Sequence, residues 1–203
     1  LESARRMTCA SNLRQVHLGL TFYANEVSVL PTRNSTALFG QYAYNCNTDA
    51  NVMNALTSRQ LIAGETWRCP SRGSRKRGAT NPEVNYRVLL ASQPIQNLSA
   101  KYVYYMLRLE KQLPDCGLVM DACYADVPTG SGNRSYMASN HPASDGGPDG
   151  CNCIRVDGSL SWFDRTQMGS QSPWGYADDE LYVIRGMPFL DYYRDLSFCS
   201  PLY

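Results

Sequence analysis

Apolar side chains between Arg5 and Pro31 fall at Ala10, Leu13, Val16, Leu20, Tyr23 and Val27, in alternating steps of three and four, while Arg5, Arg6, Asn12, Arg14 and Gln15 stay off that stripe. Steps of this kind turn one face of a helix to a core and leave the other wet. The spacing predicts a helix of roughly 25 residues that ends shortly before Pro31, since a proline disfavours helical geometry in the residue ahead of it. No cap introduces a fresh apolar run at its start, so the segment is read as the second half of a longer helix.

From Asn51 to Ala63, the positions of Val52, Met53, Leu56, Leu61 and Ile62 predict a second, short helix with Gly64 as its stop. The stretch from Arg68 to Gly78 is a loop rich in Gly, Ser and basic residues. Tyr86–Ser92 and Tyr102–Leu109 read as strands, the second also fitting a helix. Leu118–Cys123 reads as a central strand after Pro114 and Gly117. Pro128–Asn152 is a long surface excursion, full of Gly, Asn, Ser, Pro and Asp. Asp157-Gly158, set between Ile154-Arg155-Val156 and Leu160-Ser161-Trp162, predicts a hairpin with a two-residue turn. The tail from Ser172 onward carries Trp174, Tyr176, Tyr182, Phe189, Tyr192 and Tyr193 and is apolar enough to pack on a sheet or cover an edge strand. A long helix followed by clustered antiparallel strands is an α+β arrangement, with the helix stripe laid across one face of the sheet and extended loops between the strands. Residues 1–203 are read as one domain, 1–29 being the helix and 30–203 the globular part.

Composition narrows the partners. A net charge of +1, with 18% of residues charged, gives no global field that would draw nucleic acid or an anionic membrane surface. No run of about 18 apolar residues is present to span a bilayer. The 8 cysteines, with no Cys-x-x-Cys among them, favour disulfides in an oxidising compartment over zinc ligation or scattered thiols. Eight cysteines allow about 105 pairings. The favoured ones are Cys46 with Cys69, either Cys116 or Cys123 with either Cys151 or Cys153, and Cys9 with Cys199 if the chain end folds back on the helix.

Three motifs resemble one family. Arg5-Arg6-x-x-Cys9-x-x-Asn12-Leu13-Arg14-Gln15-Val16-x-Leu18-Gly19-Leu20-x-x-Tyr23-Ala24-x-Glu26, running toward Pro31, is similar to the segment that follows the membrane-spanning half of the first helix in prepilin-like proteins. The match is to the large pseudopilin-like family of planctomycetes, verrucomicrobia and lentisphaerae. That family carries a His-x9-Asp-Gly element toward its C-terminus, and here Asn140-His141-Pro142 and Asp157-Gly158-Ser159-Leu160 resemble its two ends, with an insertion within 142–149 lengthening the gap. Trp67-Arg68-Cys69-Pro70-Ser71 is similar to a third, aromatic-x-Cys-Pro-Ser element, with Arg72 where the family has Asp. The resemblance implies a pilin-like fold and a leader cut by a prepilin peptidase. It also implies an apolar helix ahead of Leu1 as membrane anchor, and a head domain exported to the cell envelope. Other pilin or pseudopilin subunits and the secretion or pilus assembly machinery would be its partners.

Candidate chemistry is sparse. A Cys-His hydrolase needs a thiol beside a base, for which His141 with Cys151 or Cys153 is the available set. A zinc site drawn from Cys116, Cys123, Cys151, Cys153 and His141 lacks short paired spacings. Asp145, Asp149 and Asn152 offer hard oxygen donors for Ca²⁺ on a glycine-rich turn, with no EF-hand pattern. Arg72, Arg75, Lys76 and Arg77 crowd one loop and suit a subunit contact or an anionic ligand. His141 is otherwise read as a structural hydrogen-bonding residue that pins the long loop to the hairpin. Leu13, Val16, Leu20 and Tyr23 are the packing face of the first helix. The expectation is a non-enzymatic structural subunit of a type II secretion pseudopilus or type IV pilus-like filament, with no required cofactor and Ca²⁺ as the candidate ion. The alternative is a membrane-anchored extracellular module that binds polysaccharide or another polymer.

Overall fold

A helix of 26 residues, α1 (Glu2–Val27), lies against an antiparallel sheet through the face that carries Cys9, Leu13, Val16, Leu20 and Ala24. The computed structural model describes residues 1–31, 46–71, 86–88, 108–111, 114–121, 140–144, 149–171 and 181–184, of which 46–51, 87–88, 111, 169–171 and 181–184 are described by backbone alone. Leu13, Val16 and Leu20 are buried as their spacing predicts. The stripe is rotated slightly from its expected ends: Cys9 and Ala24 are buried, Ala10 and Tyr23 are half-buried, and Val27 is exposed. A straight helix turns about 100° per residue, so a stripe in steps of three and four drifts, and its ends are where the drift shows. Ser28 closes α1 in the left-handed region at φ 65°, and Leu30 and Pro31 fold back into the core.

The second helix, α2 (Cys46–Thr57), starts earlier and stops sooner than expected. Its end is made by Gln60 at φ 58°, with the Leu61 N–H donating to the Leu56 carbonyl and Gln60 N–H to Thr57. Those two bonds are the Schellman pattern, which satisfies the last carbonyls. Gly64 is therefore not the stop. It opens a 3-10 turn, Gly64–Trp67, that delivers the buried Trp67 and then Cys69 to the core.

The main sheet has strand order β1-β2-β3-β4, all antiparallel, from β1 (Tyr86–Val88), β2 (Gly117–Asp121), β3 (Gly150–Arg155) and β4 (Leu160–Asp164). A separate two-stranded ladder joins β5 (Met168–Gln171) to β6 (Leu181–Ile184). The chain is of the mixed α+β class, with α1 packed on β2 and β3. Leu109–Lys111, at the end of the Tyr102–Leu109 segment, is a 3-10 turn, and residues 101–107 lie outside the described set. Most of the expected tail likewise lies outside it. Among the described residues no helix is long and apolar enough to cross a membrane.

The hairpin between β3 and β4 has a longer turn than expected. Gly158 N–H donates to the Arg155 carbonyl, Arg155 N–H to Ser159, and only Gly158 takes a positive φ, +82°. This is a three-residue connection with the glycine in the left-handed position rather than a two-residue turn. The Ser159 hydroxyl, and then the Ser159 N–H at 2.8 Å from Asp157 Oδ1, hold the Asp157 carboxyl below its ordinary value. The turn is also docked on α1: His17 Nε2 lies 3.0 Å from the Val156 carbonyl. A Cβ at 158 would sit 3.3 Å from the His17 ring. Gly158→Ala is expected to cost about 1–2 kcal/mol from the left-handed backbone, read as a lower urea midpoint at constant slope.

Candidate functional site

Four side chains from four separate parts of the chain converge inside the fold: Cys9, Cys69, Asp121 and His141, whose ligating atoms all lie within 4.8 Å of one another and all of which are buried. Cys9 comes from the third turn of α1, on the same helix face as Glu2 and Arg6. Cys69 follows the 3-10 turn, where Arg68 has returned to extended backbone. Asp121 is the last residue of β2, paired with Tyr86 on one side. His141 belongs to the segment that leads into β3 and sits at φ 50°. Its carbonyl accepts from Asp149 N–H at 3.0 Å, one residue before that strand starts.

Asp121 organises the centre. Its Oδ2 accepts from the Asn152 backbone N–H at 2.7 Å and from Asn152 Nδ2 at 2.9 Å, and its Oδ1 accepts from Asn140 Nδ2 at 3.2 Å. His141 Nε2 stands 3.3 Å from the same Oδ2 and 3.8 Å from Cys69 Sγ. His141 Nδ1 is 2.7 Å from Glu2 Oε1, which also accepts from Ser71 Oγ at 2.8 Å. The ring meets Trp162 edge-on at 5.4 Å. Arg6 also lies over Trp162, with its guanidinium 4.1 Å from the ring centre, and pairs with Asp149. The two sulfurs, Cys9 and Cys69, are 2.9 Å apart.

These contacts set the protonation chemistry. Burial alone would lower His141; the Asp121 carboxylate and the Cys69 sulfur more than reverse that and raise it to about 10. Donation from Cys9, aided by His141, holds the Cys69 thiol down to about 5 against its own desolvation, and the donating Cys9 thiol moves far up. Desolvation pushes Tyr86 upward too, although its hydroxyl is held by Asn12 Nδ2 at 3.1 Å and the Arg68 carbonyl at 3.2 Å. Glu2 is half-exposed, and burial would raise it, but His141 and Ser71 bring it below the ordinary carboxylate value.

The cluster departs from the expected sets. Cys69 meets Cys9, which α1 carries over the segment after the 3-10 turn; the side chain of Cys46, the partner expected from the sequence, lies outside the described residues. The same contact occupies the partner proposed for Cys199, itself outside the described set. His141 is brought to Cys69, not to Cys151 or Cys153, so the Cys-His pair and the zinc set read from the sequence are not the ones assembled. Cys116, Cys151 and Cys153 are buried in the sheet region, and Cys123 is not described. Of the calcium residues, Asp149 pairs with Arg6 and Asn152 turns inward to Asp121, while Asp145 is outside the described residues. Arg72, Arg75, Lys76 and Arg77 are outside them as well. His141 and Asp157-Gly158 lie at opposite ends of β3, which spans about 20 Å. They make separate contacts, the first with the cluster and the second with His17.

Sequence reasoning passed over Cys9, Asp121 and Glu2 as site residues. Cys9 and Cys69 each lie within a quoted motif, and that shared feature was the available signal; nothing in their separation of sixty residues announces it. Asp121 closes an apolar strand, where a buried carboxylate demands partners. Comparison of the chain with protein-family models, with curated proteins and with solved structures finds no match.

Proposed function

We propose that this chain is the head domain of a non-enzymatic, prepilin-like structural subunit of a secretion pseudopilus or pilus-like envelope filament. The supporting observation is the two-sided use of α1. One face, through Leu13, Val16 and Leu20, is committed to the antiparallel sheet, while Met7, Leu18 and Phe22 stand out on the opposite face, 74%, 54% and 58% exposed. A helix that holds its own head on one side and keeps apolar groups outward on the other is suited to pack against neighbouring copies. In this reading an apolar segment ahead of Leu1 anchors the protein in the inner membrane, and a prepilin peptidase processes its leader. The head is exported, and other pilin subunits and the assembly machinery are its partners. The helix laid across an antiparallel sheet is compatible with this reading.

The test is made on the native full-length gene product in its host, with a photo-reactive residue at Leu18 or Phe22. The expected result is cross-linking to further copies or to other pilin-like chains, together with a leader-sized mobility shift that depends on the peptidase. A gene that encodes no leader and no apolar segment before Leu1 would sink the proposal, as would cross-linking restricted to unrelated soluble proteins.

A further inference from the structure

The geometry points to a structural metal centre of the zinc class, held by Cys9 Sγ, Cys69 Sγ, His141 Nε2 and the Asp121 carboxylate. This inference goes beyond the filament proposal and does not rest on it. Zinc takes four N, S or O donors in a tetrahedron, with bonds of about 2.3 Å to sulfur and about 2.0–2.1 Å to nitrogen and oxygen. Such a tetrahedron separates a histidine nitrogen from a carboxylate oxygen by about 3.3 Å, and a sulfur from the nitrogen by about 3.6 Å. His141 Nε2 and Asp121 Oδ2 are 3.3 Å apart, and Cys69 Sγ and His141 Nε2 are 3.8 Å apart.

The surroundings are those a metal ligand set requires. A ligating histidine needs its second nitrogen held so that the free one faces the ion, and ligating carboxylates are themselves hydrogen-bonded. Glu2 holds His141 Nδ1 at 2.7 Å, and Asn140 and Asn152 hold Asp121 with three bonds. All four donors are buried, which makes the site closed and structural rather than one that binds substrate. As ligands, two thiolates, one carboxylate and a neutral imidazole carry three negative charges, most of which a dication offsets.

The competing chemistry is a Cys9–Cys69 disulfide. The sulfurs stand at 2.9 Å, between the disulfide bond of about 2.05 Å and the thiolate separation of about 3.8 Å on a tetrahedral zinc. Their spacing therefore does not choose. The inward aim of His141 and Asp121 does, because a disulfide calls for neither. Metal binding displaces whatever protons the two sulfurs and His141 Nε2 still carry and changes no oxidation state, whereas the disulfide would lose two electrons, together with the protons still on the sulfurs, to an oxidant such as a small-molecule disulfide.

The experiment uses the 203-residue chain, purified under reductant and titrated with Zn²⁺ and with Co²⁺ as a spectroscopic probe. The expected result is about one ion per chain, a cobalt spectrum with thiolate charge-transfer and tetrahedral d–d bands, and zinc protection of Cys9 and Cys69 from alkylation that a chelator removes. Cys69→Ser and His141→Gln are expected to abolish the tetrahedral thiolate spectrum. Glu2→Gln, which touches no metal, is expected to weaken affinity by about 10–100-fold and leave the spectrum in place. The wild-type readouts stand even if a ligand variant fails to fold, and circular dichroism identifies that case. Failure of the reduced, folded chain to retain either ion overturns the inference. So does retention that ignores Cys69→Ser and His141→Gln in folded protein, or isolation of the chain from its host with Cys9 and Cys69 joined to each other.

Discussion

Replacing Asp121 with alanine is expected to lower the stability of the metal-free chain by about 3–5 kcal/mol, the cost of removing one partner from a buried charged pair. The carboxylate accepts from the Asn152 backbone, from Asn152 Nδ2 and from Asn140, and it faces His141. Truncation leaves the buried Asn152 N–H without its acceptor and takes from His141 the carboxylate that faces Nε2, while Glu2 stays at Nδ1. Asp121→Asn keeps the volume but turns an amide toward donors, so its effect is expected to fall between alanine and wild type. Urea unfolding checks this: the midpoint should drop while the slope stays constant, since the surface exposed on unfolding is unchanged. An alanine variant within about 1 kcal/mol of wild type would show that Asp121 is not the hub of the buried network.

Leu20→Ala is expected to cost about 2–5 kcal/mol, and Leu13→Ala a similar amount, through lost transfer energy plus the cavity left in the core. Both side chains are fully buried between α1 and the rest of the fold. Leu18, two residues from Leu20, is 54% exposed, so Leu18→Ala is expected to stay within about 0.5 kcal/mol. The contrast between adjacent leucines of one helix is the sharper readout, because propensity and chain position are matched. Equal losses at Leu18 and Leu20 would mean that α1 does not sit on the sheet through the face described. Under the filament proposal the same Leu18→Ala change leaves the head stable and weakens its contact with neighbouring subunits. Thermal melting and cross-linking yield then separate the two roles of the helix.

Much of α1 was legible because an amphipathic helix writes its environment into local spacing. Leu13, Val16 and Leu20 needed no knowledge of what covers them. The hairpin was legible for a similar reason, since Asp157-Gly158 lies between two short apolar strands. The details that failed were those where a neighbour decides. The turn length follows from how Arg155 pairs with Ser159 and how His17 caps Val156, and the end of α2 follows from Leu61 reaching back to Leu56. Gly64 is the commoner stop residue, but Gln60 takes the left-handed position four residues earlier and the local Schellman bonds close the helix there.

The cluster was least legible of all. Cys9, Cys69, Asp121 and His141 share no spacing that any local rule reads, and the cysteine pairs proposed from the sequence were different ones. They meet because the register of β2 on β3 sets Asp121 beside Asn152, α1 crosses that end of the sheet, and the 3-10 turn brings Cys69 beneath it. Periodicity records which way a side chain points, a property of a few successive residues. Sequence by itself therefore determined the helix, its buried face, the hairpin and the α+β class. Which distant groups share one buried volume was decided by packing alone, because the free energy of burying a charge or a thiol depends on partners that only the assembled fold supplies.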